Sequence, residues 1–388
     1  MDQAGFYELQ HTFTDQGPAA AIERLCATLR ETKDYGALFY ALLLKKRYEL
    51  GVSPVPTGPA QDLPEEVHVP YEDAIRDAGR LVGRLYLEQG DIPHAWVYFR
   101  MLGESQPVAE ALDKFCPAEG DDIQPLVDIG YYQGVHPRKA FDLVLERSGI
   151  CSAITMVSGQ EFPHGPEARE YCIKRLVRTL YAELYERLKA DVVHREGKEP
   201  AEKTVRELMA GHEVIFEEGF YHIDISHLGA VVQMSMHLPP GEDLDMAREV
   251  CAYGQRLSPR FQHPGEPPFE DQYHDYAVYL AALAGERTEV SLDHFRRKAQ
   301  TADPEEAGTM PAEVLVNLLL RLDRPAEALA VARRHLATTE DRQLTCPGIA
   351  ELCQRTHDYQ ALAEVAREQG DPVHFMAGLI AGKQANSA

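Results

Sequence analysis

Apolar residues recur every three or four positions along almost the whole chain, the spacing that places side chains on one face of an α-helix. Ile22, Leu25, Cys26 and Leu29 predict a helix over Pro18 to Arg30, and Asp34 is placed to cap a second over Tyr35 to Leu50. Ala74, Ile75, Ala78, Leu81, Val82, Leu85 and Tyr86 mark a third that begins at Tyr71. Gly90-Asp91 breaks it, and Ile92 to Leu102 follows. Helices are also expected over Asp122 to Gly134, Pro137 to Ser148, Glu167 to His194 and Ala201 to Glu218. Gly219 should end the last of these and leave Phe220 to Ile225 extended or irregular. Ser226 could then cap His227 to Leu238, and Asp243 to Leu257 and Phe269 to Leu283 continue the pattern. The expected fold class is all-α.

Prolines and glycines punctuate this pattern. Gly51 to Pro70 reads as a linker or long surface loop, and Ser258 to Pro268 as a second break. The organisation expected is a helix pair at 1–50, a loop at 51–70, helices at 71–160, a central helical region at 161–257 and further helices at 258–388.

Small residues sharpen the picture in one window. Gly83, Tyr86, Gly90, Ala95, Phe99 and Pro107 stand at the spacing G-x2-Y-x3-G-x4-A-x3-F-x7-P. This resembles the tetratricopeptide repeat, a helix–turn–helix unit of about 34 residues. Gly83 and Ala95 would let the paired helices approach closely, Gly90 would end the first, and Phe99 would fill the gap between layers. Near the C-terminus, Pro311 to Leu322 with Pro325 to Leu336, and Ile349 to Arg355 with Tyr359 to Glu368, suggest further pairs. Val331-Ala332-Arg333 returns as Val365-Ala366-Arg367, and Glu88-Gln89-Gly90-Asp91 as Glu368-Gln369-Gly370-Asp371. The resemblance implies an α-solenoid whose concave face binds a peptide, protein or small ligand.

Charge narrows the partners. The formal net charge of −23 argues against nucleic acid, which requires a basic footprint, and against an anionic membrane surface. No run of apolar residues is long enough for a bilayer span, and the first residues lack a signal-peptide layout. Seven scattered cysteines without a C-x-x-C suit reduced, buried thiols, so a cytoplasmic protein is expected.

Candidate chemistry concentrates between Gly211 and Leu238. Five histidines have an aspartate three residues earlier, namely Asp91/His94, Asp191/His194, Asp224/His227, Asp271/His274 and Asp371/His374. That is more than chance placement gives. Helix capping explains the pattern economically, because an N-cap aspartate faces the residue three positions on. The other reading is a site for a divalent metal, Zn, Fe, Mn or Ni, since imidazole and carboxylate are their usual ligands. His222, Asp224 and His227 would form its centre, with His237, His274 or His164 completing the shell. Glu213 and Glu217, four apart on an expected helix, could then supply a ligand and a general base. Established motifs are absent: His212-Glu213 begins H-E-x-x-H, but Phe216 stands at the second ligand position. The two functional readings are thus a helical-repeat binding protein and a metal-dependent enzyme or metal binder on the same scaffold.

Overall fold

The helices begin where short polar side chains can take up free backbone N–H groups. In the computed structural model, which describes residues 2–55, 63–159, 162–217 and 219–385, Asp34, Asp91, Asp224, Asp358 and Asp371 each accept such a bond at a helix start. Each cap contributes about 1 kcal/mol to its helix. The described residues form twenty α-helices with no strand, and consecutive helices pack against one another. The chain divides into two compact units, 1–149 and 150–388, and the division falls at Gly149, where the backbone leaves helical geometry (φ 81°, ψ 176°).

In the first unit the helices are α1 (Gln3–Gln16), α2 (Pro18–Glu31), α3 (Tyr35–Glu49), α4 (Glu65–Glu88), α5 (Ile92–Leu102), α6 (Gln106–Lys114), α7 (Gln124–Val127) and the first part of α8 (Pro137–Val157). α1 packs on α2, α2 on α3, α3 on α4 and α4 on α5. The expected loop over 51–70 needs correcting. Residues 56–62 lie outside the described set, and α4 already starts at Glu65. Pro70 is the sixth residue of α4, and its missing N–H leaves without a helical partner the carbonyl of Glu66, an exposed residue that water can reach.

The α4–α5 pair has the close approach that its small residues predict. A methyl group at Gly83 would stand 2.7 Å from Cε2 of Phe99, which is 1 % exposed, while Ala95 is fully buried. Gly90 takes φ 77° at the turn between them. Around this pair Ile92, Val108, Leu112, Leu126, Ile129 and Leu143 form one core, and Leu29, Tyr35, Leu38, Phe39, Ala78 and Val82 form another.

The second unit is built on α9 (Pro166–Glu196). Ile173, Leu176, Val177, Leu180, Leu184, Leu188 and Val192, three or four apart, are all fully buried. α10 (Val205–Gly211), α11 (Ile225–Met234) and α12 (Glu242–Arg256) pack on it, followed by α13 (Gln272–Leu283), α14 (Thr288–Thr301) and the short α15 (Pro304–Ala307). α16 (Met310–Arg321), α17 (Pro325–His335), α18 (Ile349–Thr356), α19 (Tyr359–Gln369) and α20 (Pro372–Ala385) complete it. Ala332 and Ala366, the centres of the 34-residue echo, are both buried on their helices. The second echo is structural too. Gly370 turns the chain with φ 73°, and Asp371 caps α20 and binds the His374 ring at 2.6 Å, as Asp91 does with His94 at 2.8 Å. The pairing differs from expectation in one respect: α19 packs chiefly on α20, across Gly378, rather than on α18.

Candidate functional site

The stretch from Gly211 to Leu238 is not two clean helices. α10 ends at Gly211, His212 leaves helical geometry (φ −134°, ψ 74°), and Glu213–Phe216 is a 3₁₀ turn. With three residues per turn, positions four apart no longer share a face. Glu213 and Glu217, expected as a ligand and general base on one helical face, are therefore not so arranged. Glu213 pairs with Arg256, and Glu217 is exposed at the end of the turn. Glu218 lies outside the described residues.

The His222 ring is nearly sealed, with its side chain 8 % exposed. Its backbone N–H donates to the Tyr253 hydroxyl at 2.7 Å, and its Nδ1 lies 3.0 Å from the same oxygen. The hydroxyl thus accepts one bond and has its own proton for Nδ1. The proton of the neutral ring is then on Nε2, which donates to Asp191 Oδ2 at 3.2 Å. Arg195 Nε holds the other carboxylate oxygen at 2.8 Å, and Arg187 donates to the His222 carbonyl. Burial outweighs the attraction of Asp191 and lowers the imidazole pKa, while burial raises that of the Tyr253 phenol to about 12. Both ring nitrogens of His222 are engaged, so neither offers a lone pair to a metal.

The other candidates are placed apart. Asp224, not Ser226, caps α11: its Oδ1 accepts from the Ser226 hydroxyl and from the N–H groups of Ser226 at 2.8 Å and His227 at 3.2 Å, and the hydroxyl bond first, then the N–H bonds, hold its pKa down. Its carboxylate turns toward its own helix start, whereas the His222 ring turns toward α9 and α12. Asp271 makes no side-chain cap, and His274 is exposed beside the His294 ring. His164 packs edge-on to Phe162, and Glu161 lies outside the described residues. His237 ends a 3₁₀ turn after α11; burial lowers its pKa to about 4, and the guanidiniums of Arg169 and Arg321 nearby add to the shift. That positive surrounding opposes a metal cation. Among the described residues no group of three or more His, Cys, Asp or Glu is placed to hold a metal ion.

Two polar clusters escaped the sequence reading. Asp275, 1 % exposed, holds His294 Nε2 at 2.7 Å, Lys298 Nζ at 2.8 Å and the Asp271 N–H at 3.0 Å. Glu313, equally buried, accepts from Thr309 Oγ1 at 2.6 Å and from the N–H and hydroxyl of Thr345 at 2.6 and 2.7 Å. Asp271 and Thr309 are local donors, but His294, Lys298 and Thr345 come from distant stretches of the chain, so no local motif marks either cluster. Both are internally satisfied and join neighbouring elements.

One open feature among the described residues of the first unit is a groove of about 710 Å³ between its N-terminal helices. Leu29 and Ala41 form its floor; Phe6, Leu25, Tyr40, Leu43 and Leu44 line its sides. Phe6 is 62 % and Tyr40 70 % exposed. Asp34 and Arg47 are the charged lining residues, and Arg47 is already engaged with the Ser53 carbonyl at 2.6 Å and the Tyr71 ring. A sequence signal for the groove exists. Leu38 to Leu44 is an unbroken apolar run inside one helix, and a helix apolar on all sides cannot bury them all against one neighbouring layer. No helix among the described residues is long and apolar enough to cross a membrane. No family model matches the chain, and no curated protein or solved structure matches it.

Proposed function

We propose that the chain is a helical-repeat binding protein whose consecutive helix pairs are tetratricopeptide-like and whose N-terminal groove takes an amphipathic peptide helix of a partner protein. The observation that carries this reading is the groove itself: large, lined almost wholly by apolar side chains, and flanked by aromatic residues left in solvent at a cost. Exposed apolar patches of this kind mark interaction sites in folded proteins. A trough between helices accepts the apolar stripe of another helix, with anchors at i, i+3, i+4 and i+7. Charge selects the other face of that peptide. With a net charge of −23 on the chain, a basic polar face is attracted at long range and an acidic one repelled.

The test is selection from a random peptide library displayed on phage, followed by direct affinity measurement of the recovered sequences. The reading expects enriched peptides with apolar residues at helical spacing and a positive net charge. Their binding should be lost with Phe6→Ala plus Tyr40→Ala, two exposed positions whose truncation leaves the fold in place. Enrichment of acidic or non-amphipathic sequences, or binding insensitive to those substitutions, would overturn it.

A further inference from the structure

In a strongly acidic chain, one cleft of the second unit is lined by donors and by no carboxylate. It measures about 380 Å³ and lies among the turn after α11, α13, α16, α18 and the loop before α18. Arg321, Arg355, Asn317, His237 and Tyr279 line it, with Met236, Val314, Leu320 and Pro347 as apolar wall. Arg321 donates to the Met236 carbonyl at 2.9 Å and to the Leu238 carbonyl. These bonds fix the guanidinium against the His237 turn without neutralising it, and three of its five N–H groups remain. Arg355 spends part of its charge on Glu351, through Nε at 3.1 Å and one terminal nitrogen at 2.5 Å, which leaves its other terminal nitrogen for a ligand.

Tyr279 gives the second, independent indication. It is 3 % exposed, with its ring packed against Phe269 and Phe295, yet its hydroxyl hydrogen-bonds to none of the described residues. That hydroxyl is not among the sealed polar atoms lacking a partner, so it opens onto the space that the residue lines. A buried phenol aimed into a cleft with no protein acceptor is a donor kept for something else.

We infer that this cleft binds a small phosphate-bearing molecule. The donors come from four elements, the turn at His237, α13, α16 and α18, so they approach the cleft from several sides, which suits the several oxygens of a phosphate group better than the two of a carboxylate. The volume has room for a phosphate with a modest apolar portion against Val314, Leu320 and Pro347. His237 lines the same cleft; burial, with Arg169 and Arg321 nearby, lowers its pKa to about 4, so its ring is neutral and offers one N–H donor.

The experiment is calorimetric titration of the full chain with phenyl phosphate, inorganic phosphate and benzoate, repeated on Tyr279→Phe and Arg321→Gln. The expected result is saturable binding of phenyl phosphate and, more weakly, of inorganic phosphate, with benzoate at least about tenfold weaker. Tyr279→Phe removes only a hydroxyl that bonds nothing in the fold, and it should weaken phenyl phosphate by about tenfold, the value of a hydrogen bond to a charged group. Arg321→Gln should abolish binding; if loss of its backbone bonds also unfolds the unit, Tyr279→Phe decides alone. Absence of saturable phosphate binding, equal binding of benzoate, or unchanged affinity in a folded Tyr279→Phe would overturn the assignment. Phosphate binding here and peptide binding in the N-terminal groove involve different residues of different units, so either can fail without the other.

Discussion

Replacing Gly83 by alanine tests whether the α4–α5 helices are as close as a tetratricopeptide-like pair requires. Two effects oppose. Alanine in a helix interior is favoured over glycine by about 1 kcal/mol. Against this, the new methyl would stand 2.7, 3.0 and 3.1 Å from three atoms of the Phe99 ring, inside the ~3.5–4.0 Å at which carbon atoms attract. Phe99 is a rigid, buried ring with no free side to retreat to, so the overpacking cost should be about 1–3 kcal/mol. Gly79, one turn earlier on the same helix, is the control. There a methyl meets only the flexible ends of Leu102 at 3.3 Å and Met101 at 3.5 Å, and the propensity gain should survive. Gly83→Ala should therefore be less stable than Gly79→Ala by about 1–3 kcal/mol. The assay follows from the sequence: Trp96 is the single tryptophan, it lies on α5, and it packs against the core around Phe99. Its fluorescence during urea unfolding reports this unit alone. With a denaturant slope of roughly 2 kcal/mol/M, the two midpoints should differ by about 0.5–1.5 M. Equal midpoints would refute the close approach.

Two further outcomes concern the second unit. His222 is neutral and buried, with its folded pKa below the unfolded value, so its contribution to stability is present above that unfolded value and is lost as pH falls toward the folded one. His222→Gln should therefore show a smaller loss of thermal stability than wild type between about pH 7.5 and 5; identical pH slopes in the two proteins would contradict the neutral, buried assignment. Glu313 accepts three hydrogen bonds with its two oxygens, and Glu313→Ala removes both acceptors and leaves the Thr345 N–H without its partner. It should cost about 1–3 kcal/mol in unfolding free energy, and no loss would mean that Thr345 is not anchored there.

Much of the helical layout can be read along the chain, because its signals are local. Asp34, Asp91 and Asp358 mark starts, Gly90 and Gly370 mark turns, and the buried stripe of α9 repeats at three and four. What escaped depends on competition or distance. Pro64 and Pro70 suggested a loop, yet the first turns of α4 tolerate a proline. Gly211 was the one local signal of the break at His212, and the apolar spacing that runs on through Val214 and Ile215 masked it. The Asp-x-x-His pattern proved largely a capping device, seen at Asp91, Asp224 and Asp371, and only a three-dimensional view separates that from ligation. His222 finds Tyr253 and Asp191 each 31 residues away, on helices whose packing no local pattern specifies. The cleft around Tyr279 gathers residues from Met236 to Arg355, and His237 was its one member among the candidate site residues.

The claim at the centre of this account is that the groove between the N-terminal helices is a peptide-binding surface. Its most direct measurement is the affinity, by fluorescence anisotropy, of a basic amphipathic peptide recovered by selection, for wild type and for Phe6→Ala plus Tyr40→Ala, with Trp96 unfolding midpoints recorded for both. Truncating a single aromatic anchor of an interface costs about 2 kcal/mol or more, so with at least one of the two residues an anchor the account predicts at least ~30-fold weaker binding at an unchanged midpoint. Equal affinity for the two proteins would contradict it.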